Sequence, residues 1–244
     1  MVGFFERAVI LTWEGISNMV FDKKEKECLF RLKENLKSMH VISDNHFFHE
    51  RMIDREPIRR VYRDLAFESQ DEMMLHFWNA VIGEDDLVLH LGDFAWRDSS
   101  EAKIEELLNR LNGKIFMIVG NHDRELYEVY KKHIECVFGG GVIYIDEGDR
   151  FREIDSGFKR VNGVFLSIYG VRILLSHYPV FTNRSADEAR TKRLKEIALN
   201  YGISVNIFGH IHSLKFPEFM HGVKMVNMSV ENTRFVPFKA EDIL

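Results

Sequence analysis

The sequence predicts an α/β fold built on a largely parallel sheet, and two observations carry that prediction. First, five short apolar runs each end in a polar cluster. Val41-Ile42 runs into Asp44-Asn45-His46, Leu87-Val88-Leu89 into Gly92-Asp93, and Ile115 to Val119 into Gly120-Asn121-His122-Asp123. Ile173-Leu174-Leu175 runs into Ser176-His177-Tyr178-Pro179, and Val205 to Phe208 into Gly209-His210-Ile211-His212. Short apolar runs bounded by turn residues read as buried strands. Second, helical patterns separate the first three runs, and strand, helix, strand, helix, strand at this spacing implies right-handed crossovers between parallel neighbours. In open sheets of this kind ligands bind beyond the carboxyl ends of the strands, so the five clusters are expected to converge there.

Taken in order, residues 1–37 stand apart as an N-terminal extension that packs on a main domain spanning 38–244. Residues 8–21 read as two short strands around Glu14-Gly15 or as one amphipathic helix, and the pattern does not decide. Phe4, Phe5 and Trp13 would be its docking residues if it met a partner or a membrane surface. Leu29, Leu32 and Leu36 recur at helical spacing among Lys and Glu. A strand at 39–43 follows, then a polar, Arg-rich loop through Pro57. Ser69 with Glu72 forms a capping box before Met74, Phe77, Trp78 and Val81, which predicts a helix over 70–82. Asp98 and Glu101 cap a second helix with Ile104, Leu107, Leu108 and Leu111 inward, stopped by Gly113.

The second half is richer in strands. Gly139-Gly140-Gly141 reads as a turn, because no Gly-Lys-Ser/Thr follows to make a phosphate loop. Val142 to Ile145 is a strand, and 149–160 a charged surface excursion. Segments at 161–169 and 171–176 form a hairpin turning near Gly170. A helix over 187–201 turns Leu194, Ile197, Ala198 and Tyr201 inward, and Val223 to Val230 makes a closing strand.

Bulk properties narrow the function. A chain of 244 residues with 45% hydrophobic content can bury one good core. A net charge of -5 argues against nonspecific coating of nucleic acid, which depends on Lys and Arg neutralising phosphates. Cys28 and Cys136 lie far apart and outside any ligand-spaced pair, which rules out a thiolate zinc site and points to a reducing, cytoplasmic compartment. No apolar run approaches the roughly 20 residues needed to cross a bilayer. The N-terminus also lacks the basic start and cleavage site of a signal peptide.

The clustered residues carry the chemistry. Carboxylate, imidazole and amide together suit first-row divalent ions such as Mn, Fe, Co, Ni or Zn. Asp44, His46, Asp93, Asn121, His177, His210 and His212 are too many for one ion. Two ions sharing a carboxylate resolve this, and Asp93, on the central run, is best placed to bridge. Asp44 with His46, and His210 with His212, are each separated by one residue and can point the same way from an extended strand end. His40, His76, His90, His133 and His221 read as ordinary hydrogen-bonded histidines.

In this order, Asp44-x-His46, Gly92-Asp93, Gly120-Asn121-His122-Asp123, His177 and Gly209-His210-x-His212 resemble the five motifs of the calcineurin-like metallophosphoesterases. The resemblance runs from about Met39 to about Phe238, and with Asn227-Met228-Ser229-Val230 it is similar to small bacterial and phage phosphoesterases. It implies a four-layer sandwich of two mixed β-sheets flanked by helices. It further implies one ion held by Asp44, His46, Asp93 and His212, and a second held by Asp93, Asn121, His177 and His210, with Mn the favoured metal. A hydroxide formed from water would attack phosphorus in line. His122 would protonate the leaving group as general acid, with Asp123 orienting it by a hydrogen bond.

The expected substrate is a small phosphorylated molecule, nucleotide-like, cleaved as a diester or monoester. His49 and Arg124, beside the metal motifs, are the candidate substrate contacts. Arg51, Arg55, Arg59, Arg60 and Arg63 alternate with Glu50, Asp54, Glu56 and Asp64 and read as a solvated charged face. A nuclease or nucleic-acid end-processing enzyme is the alternative, and would need a positive groove continuous with the metals. An inactive protein-binding scaffold is a third reading, disfavoured because every ligand position and His122 are present. Oligomeric state has no signature in the sequence.

Overall fold

A computed structural model describes residues 23–244. The two readings of 8–21 and the docking role of Phe4, Phe5 and Trp13 lie outside the described residues.

Two mixed sheets face each other. In the first, β1 (His40–Ile42), β2 (Leu87–His90), β3 (Lys114–Ile118) and β4 (Cys136–Phe138) run parallel, and β12 (Phe238–Lys239) joins β1 antiparallel. The second has the order β10 (Phe219–Met220), β11 (Val223–Asn227), β9 (Val205–Phe208), β8 (Val171–Ser176), β7 (Gly163–Ile168), β5 (Val142–Asp146) and β6 (Phe151–Asp155). Parallel pairing at β11/β9, β9/β8 and β7/β5 alternates there with antiparallel pairing at β10/β11, β8/β7 and β5/β6.

Side chains alternate across each strand, and both faces of the first sheet are covered. Val41, Leu89, Phe116 and Ile118 point between the sheets and meet Val164, Leu166, Ile173, Leu175 and Ile207. Ile42, Val88, Ile115 and Met117 point the other way, onto α4 (Gln70–Asn79), α5 (Glu101–Arg110) and α6 (Tyr127–His133). Across the second sheet, Leu194, Ile197 and Ala198 of α7 (Ser185–Tyr201) cover Ile143, Phe165 and Leu174. The result is helices, sheet, sheet, helix, and burial on two faces explains why the strands read as unbroken apolar runs. At one end of the inter-sheet core, α1 (Lys23–Asn35) inserts Leu29 and Leu32, and Leu36 follows in the next turn. Full burial of each such leucine stabilises by roughly 1.5–3 kcal/mol.

Several expectations are corrected. The Arg-rich stretch through Pro57 is helical, forming α2 (Met52–Arg55) and α3 (Pro57–Ala66), with Pro57 opening α3 where its missing N–H costs nothing. Ser100, rather than Asp98, caps α5, accepting a hydrogen bond from the Lys103 N–H. Val81 is exposed, and Met73 and Ile82 are buried in its place. The excursion at 149–160 contains β6, because beside β5 Phe151 is buried in the inter-sheet core and Ile154 in the core on the opposite face. Cys28 and Cys136 form a disulfide. The expectation of unpaired thiols fails because α1 packs beside β4, a contact 108 residues apart in sequence. With it goes the ground for expecting a reducing compartment. No helix among the described residues is long and apolar enough to cross a membrane.

Candidate metal centre

The first sheet's β1, β2 and β3 and the second sheet's β8 and β9 end on one side, and their loops supply every clustered residue. Asp44, His46, Asp93 and His210 have φ of 63, 52, 56 and 66°. The expectation that Asp44-x-His46 and His210-x-His212 project from extended backbone is therefore wrong for Asp44, His46 and His210. Left-handed backbone costs a non-glycine residue on the order of 1–2 kcal/mol. Here it is offset by inter-loop hydrogen bonds from the Asp44 N–H to the Gly92 carbonyl (2.9 Å) and from the His46 N–H to the Asp93 carbonyl (3.0 Å). Two glycines permit the close approach. A Cβ on Gly120 would lie 2.4 Å from Asp93 Oδ1, and one on Gly209 would lie 2.0 Å from Ser43 Oγ.

Asp93 sits between two imidazoles, its Oδ2 lying 3.6 Å from His46 Nε2 and 3.5 Å from His177 Nε2. Asp44 Oδ1 is 3.7 Å from His212 Nε2. Two groups result whose ligand atoms lie within 4.8 Å of one another: Asp44, His46 and His212, and Asp44, Asp93 and His177. Asp44 belongs to both. Asn121 Oδ1 is 3.0 Å from His177 Nε2. His210 stands beside His177, ring centroids 5.2 Å apart, with Nε2 turned to Asp187 Oδ2 at 3.2 Å, which leaves Nδ1 for a ligand role.

The residues fit a pair of divalent ions. Asp44 Oδ1 and His46 Nε2 are buried with no hydrogen-bond partner among the described residues, a costly arrangement unless something else satisfies them. The other nitrogens are committed so as to free the ligand atoms. His177 Nδ1 faces the Leu91 carbonyl at 2.9 Å and His212 Nδ1 faces Glu231 Oε2 at 3.0 Å. Such outer partners fix the tautomer and ring orientation.

Charge is concentrated here. Burial would raise Asp93, but His177, His46 and His122 outweigh it and hold the carboxyl well below its usual range. Burial would lower His177, but Asp93, Asp44 and Asp123 outweigh it and raise the ring to about 9. A ligand imidazole must be deprotonated at the coordinating nitrogen. Loading Mn at pH 7 is therefore expected to expel a proton from His177, and affinity to rise with pH up to about 9. Calorimetry in buffers of different ionisation enthalpy measures this, and buffer-independent heats would contradict it.

The remaining candidates fall differently. His122 is half-buried beside His46 and Trp96, with ring centroids 5.3 and 5.8 Å away. Asp123 does not bond to it as expected. Its carboxylate faces inward and accepts from the N–H groups of Asp93 (2.6 Å), Phe94 (2.9 Å) and Gly120 (2.9 Å) and from the Tyr130 hydroxyl (3.1 Å). It ties the Asp93 loop to the Gly120 loop instead, and its backbone donors were invisible in the sequence. His49 is buried against Trp96, centroids 3.8 Å apart, and burial with Arg55 and His122 nearby lowers it to about 4. Arg124 lines an open cleft on the flank of the centre. His90 is satisfied on both nitrogens, by Asn45 Oδ1 and the Gly92 N–H.

Sequence reasoning missed four residues that hold the candidate ligands in place. Arg59, fully buried, donates to Glu231 Oε1 (2.6 Å) and to the carbonyls of Asp44 (2.7 Å) and Asn45 (2.9 Å). Glu231 carries that charge on to His212, and Asp187 faces His210. Ser229 Oγ donates to Asp44 Oδ2 at 3.0 Å. Only the Ser229-x-Glu231 spacing after β11 was available as a signal.

A family model described as calcineurin-like phosphoesterase matches residues 38–214. An uncharacterised protein of Methanocaldococcus jannaschii is 34% identical over 93 residues, which are 37% of this chain and 49% of that protein, so the match spans about half of its length. The gene 66 protein of Mycobacterium phage D29 is 25% identical over 69% of this chain and 79% of its own. Among solved structures, a protein of unknown function from Aquifex aeolicus superposes with a TM-score of 0.58 at 25% identity, covering 84% of this chain and 96% of that one.

Proposed function

The chain belongs to the calcineurin-like phosphoesterase family, and from that premise we propose that it hydrolyses a nucleotide-like phosphodiester or phosphomonoester at two divalent metal ions. The observation that carries this is Asp93 Oδ2, flanked at 3.6 and 3.5 Å by imidazole nitrogens from two different loops, as a bridging carboxylate requires. Asp44, His46, Asp93 and His212 would hold one ion, and Asp93, Asn121, His177 and His210 the other. Such ions, Mn being favoured, supply Lewis acidity and bring the pKa of water towards neutrality.

The chain's own residues account for the rest. Asp123 fixes the Asp93 and Gly120 loops against each other through three backbone donors, so the bridging carboxylate and the His122 backbone move as one. His122 holds the proton for the departing oxygen. Burial outweighs the pull of Asp93 and leaves its pKa below the ordinary imidazole value, and proton donation declines as pH rises through that folded value. His49 and Trp96 form the wall beside it.

The test is hydrolysis of bis-p-nitrophenyl phosphate against p-nitrophenyl phosphate by metal-stripped protein reloaded with Mn. Turnover of either supports the reading, and diester preference directs it to nucleotide diesters. His122→Ala is expected to lose ~10²–10⁴-fold on an alkyl phosphate and far less on a p-nitrophenyl ester, whose leaving group needs little protonation. Equal losses on both would remove His122 as the acid. No turnover, with no metal retained, would leave a binding scaffold.

A further inference from the structure

The chain has a net charge of -5, yet one cleft concentrates the opposite sign. It encloses about 310 Å3 and is lined by Arg124, Lys159, Arg160 and Arg190 with Phe158 as an apolar wall and no carboxylate. Two of the cations are partly neutralised from behind, Arg190 by Asp187 at 3.2 Å and Arg160 by Glu125 at 3.5 Å. Arg124 and Lys159 have no ion pair among the described residues. Like charges gathered around a concavity repel one another, and an anion relieves that cost.

The cleft adjoins the metal centre at two points. Arg124 follows directly on His122-Asp123. On the other side, Asp187 takes Arg190 on one carboxylate oxygen and His210 on the other, at 3.2 Å each. Between them Tyr178 packs on His210, ring centroids 4.3 Å apart, and its hydroxyl is buried without a partner among the described residues. The cleft is thus linked to His210 through Asp187, and to Asp123 by one step along the chain.

Building on the phosphoesterase reading, we propose that the cleft binds a second phosphate carried by the same small substrate, so that phosphoesters bearing a further phosphate are preferred over simple ones. Arginine and lysine are the side chains suited to a phosphate at an open site, through charge-assisted hydrogen bonds. Phe158, 45% exposed, offers its ring to the apolar or heterocyclic part joining the two phosphates.

The test compares two chromogenic diesters that differ by one phosphate, thymidine 5′-(p-nitrophenyl phosphate) and its 3′-phosphorylated form, with the Mn-loaded protein. The ratio of their kcat/KM values is read within each variant. Wild type is expected to favour the phosphorylated ester on the order of tenfold, the scale of a charge-assisted contact in an open site, and Arg124→Ala/Lys159→Ala to bring the ratio near one. A ratio near one in wild type overturns the proposal while leaving the hydrolytic function standing. If neither ester turns over, the hydrolytic function itself fails. Calorimetric binding of thymidine 3′,5′-bisphosphate to metal-free protein then decides the cleft, and equal binding by wild type and the double variant overturns it. Competition by a single-stranded oligonucleotide that strengthens with length and falls steeply with salt would assign the cleft to a nucleic-acid backbone and also overturn it.

Discussion

Asp93→Asn is expected to abolish metal-dependent turnover, by on the order of 10³-fold or more, beyond the 10–100-fold typical of losing an outer partner of a metal ligand. The substitution is nearly isosteric, and asparagine tolerates the left-handed backbone that φ of 56° demands, so the fold survives and the loss is chemical. One oxygen of Asp93 accepts the His122 N–H at 2.8 Å, and the other lies between His46 Nε2 and His177 Nε2. An amide keeps the first contact only by placing its NH2 between the two imidazoles, where it cannot coordinate. The alternative flip sets a donor against the His122 N–H. Metal content and turnover measured on the same samples check this. Two equivalents of retained metal with wild-type activity would show that Asp93 does not bridge.

The second large effect is on stability. Arg59→Ala should cost about 3–5 kcal/mol, because it leaves Glu231 buried without its cation and frees the carbonyls of Asp44 and Asn45. At roughly 2–4 °C per kcal/mol for a chain of this size, the expected fall in Tm is about 6–20 °C. Burial would raise Glu231, but Arg59 and His212 outweigh it and hold the carboxyl below its usual range. A depressed carboxylate stabilises above its unfolded pKa and loses that contribution as pH falls through the folded one. The gap between wild type and Arg59→Ala should therefore narrow below about pH 4.5. Denaturant unfolding across pH measures both quantities, and a variant within about 1 kcal/mol of wild type at pH 7 would contradict the reading. The Asp44 and Asn45 carbonyls also lose their donor in the variant, so the loop carrying Asp44 and His46 loosens and metal affinity should weaken with stability.

What could be read beforehand divides along physical lines. Residues announced by apolar runs, such as Leu89, Phe116 and Leu175, fell in the core as expected, since burial on both faces of each sheet leaves a strong signal. The gathering of the candidate ligands was legible because five clusters of donor types at strand ends need no long-range information beyond their shared end of the sheets. Arg59 was not legible, because nothing local distinguishes it from Arg51, Arg55, Arg60 and Arg63. It is buried by where α3 sits, and Glu231, its partner, lies 172 residues away. Asp123 shows the same limit, its type and position being plain while its partners are backbone donors on another loop. The unpaired reading of Cys28 and Cys136 failed likewise, since only the packing of α1 beside β4 brings the thiols together.

That bridge makes part of the chain a covalent circle. Asp44, His46, Asp93, Asn121 and His122 lie inside the circuit closed by Cys28 and Cys136, whereas His177, His210 and His212 lie on the tail that leaves it. Closing a loop of roughly 100 residues removes about 4–5 kcal/mol of freedom from the unfolded chain in the chain-entropy account. A protease cutting at the exposed Glu84-Asp85 turn would open the circle without releasing a fragment. The loops carrying Asp44 and Asp93 would then sit on opposite sides of the cut, still tethered to each other through sulfur.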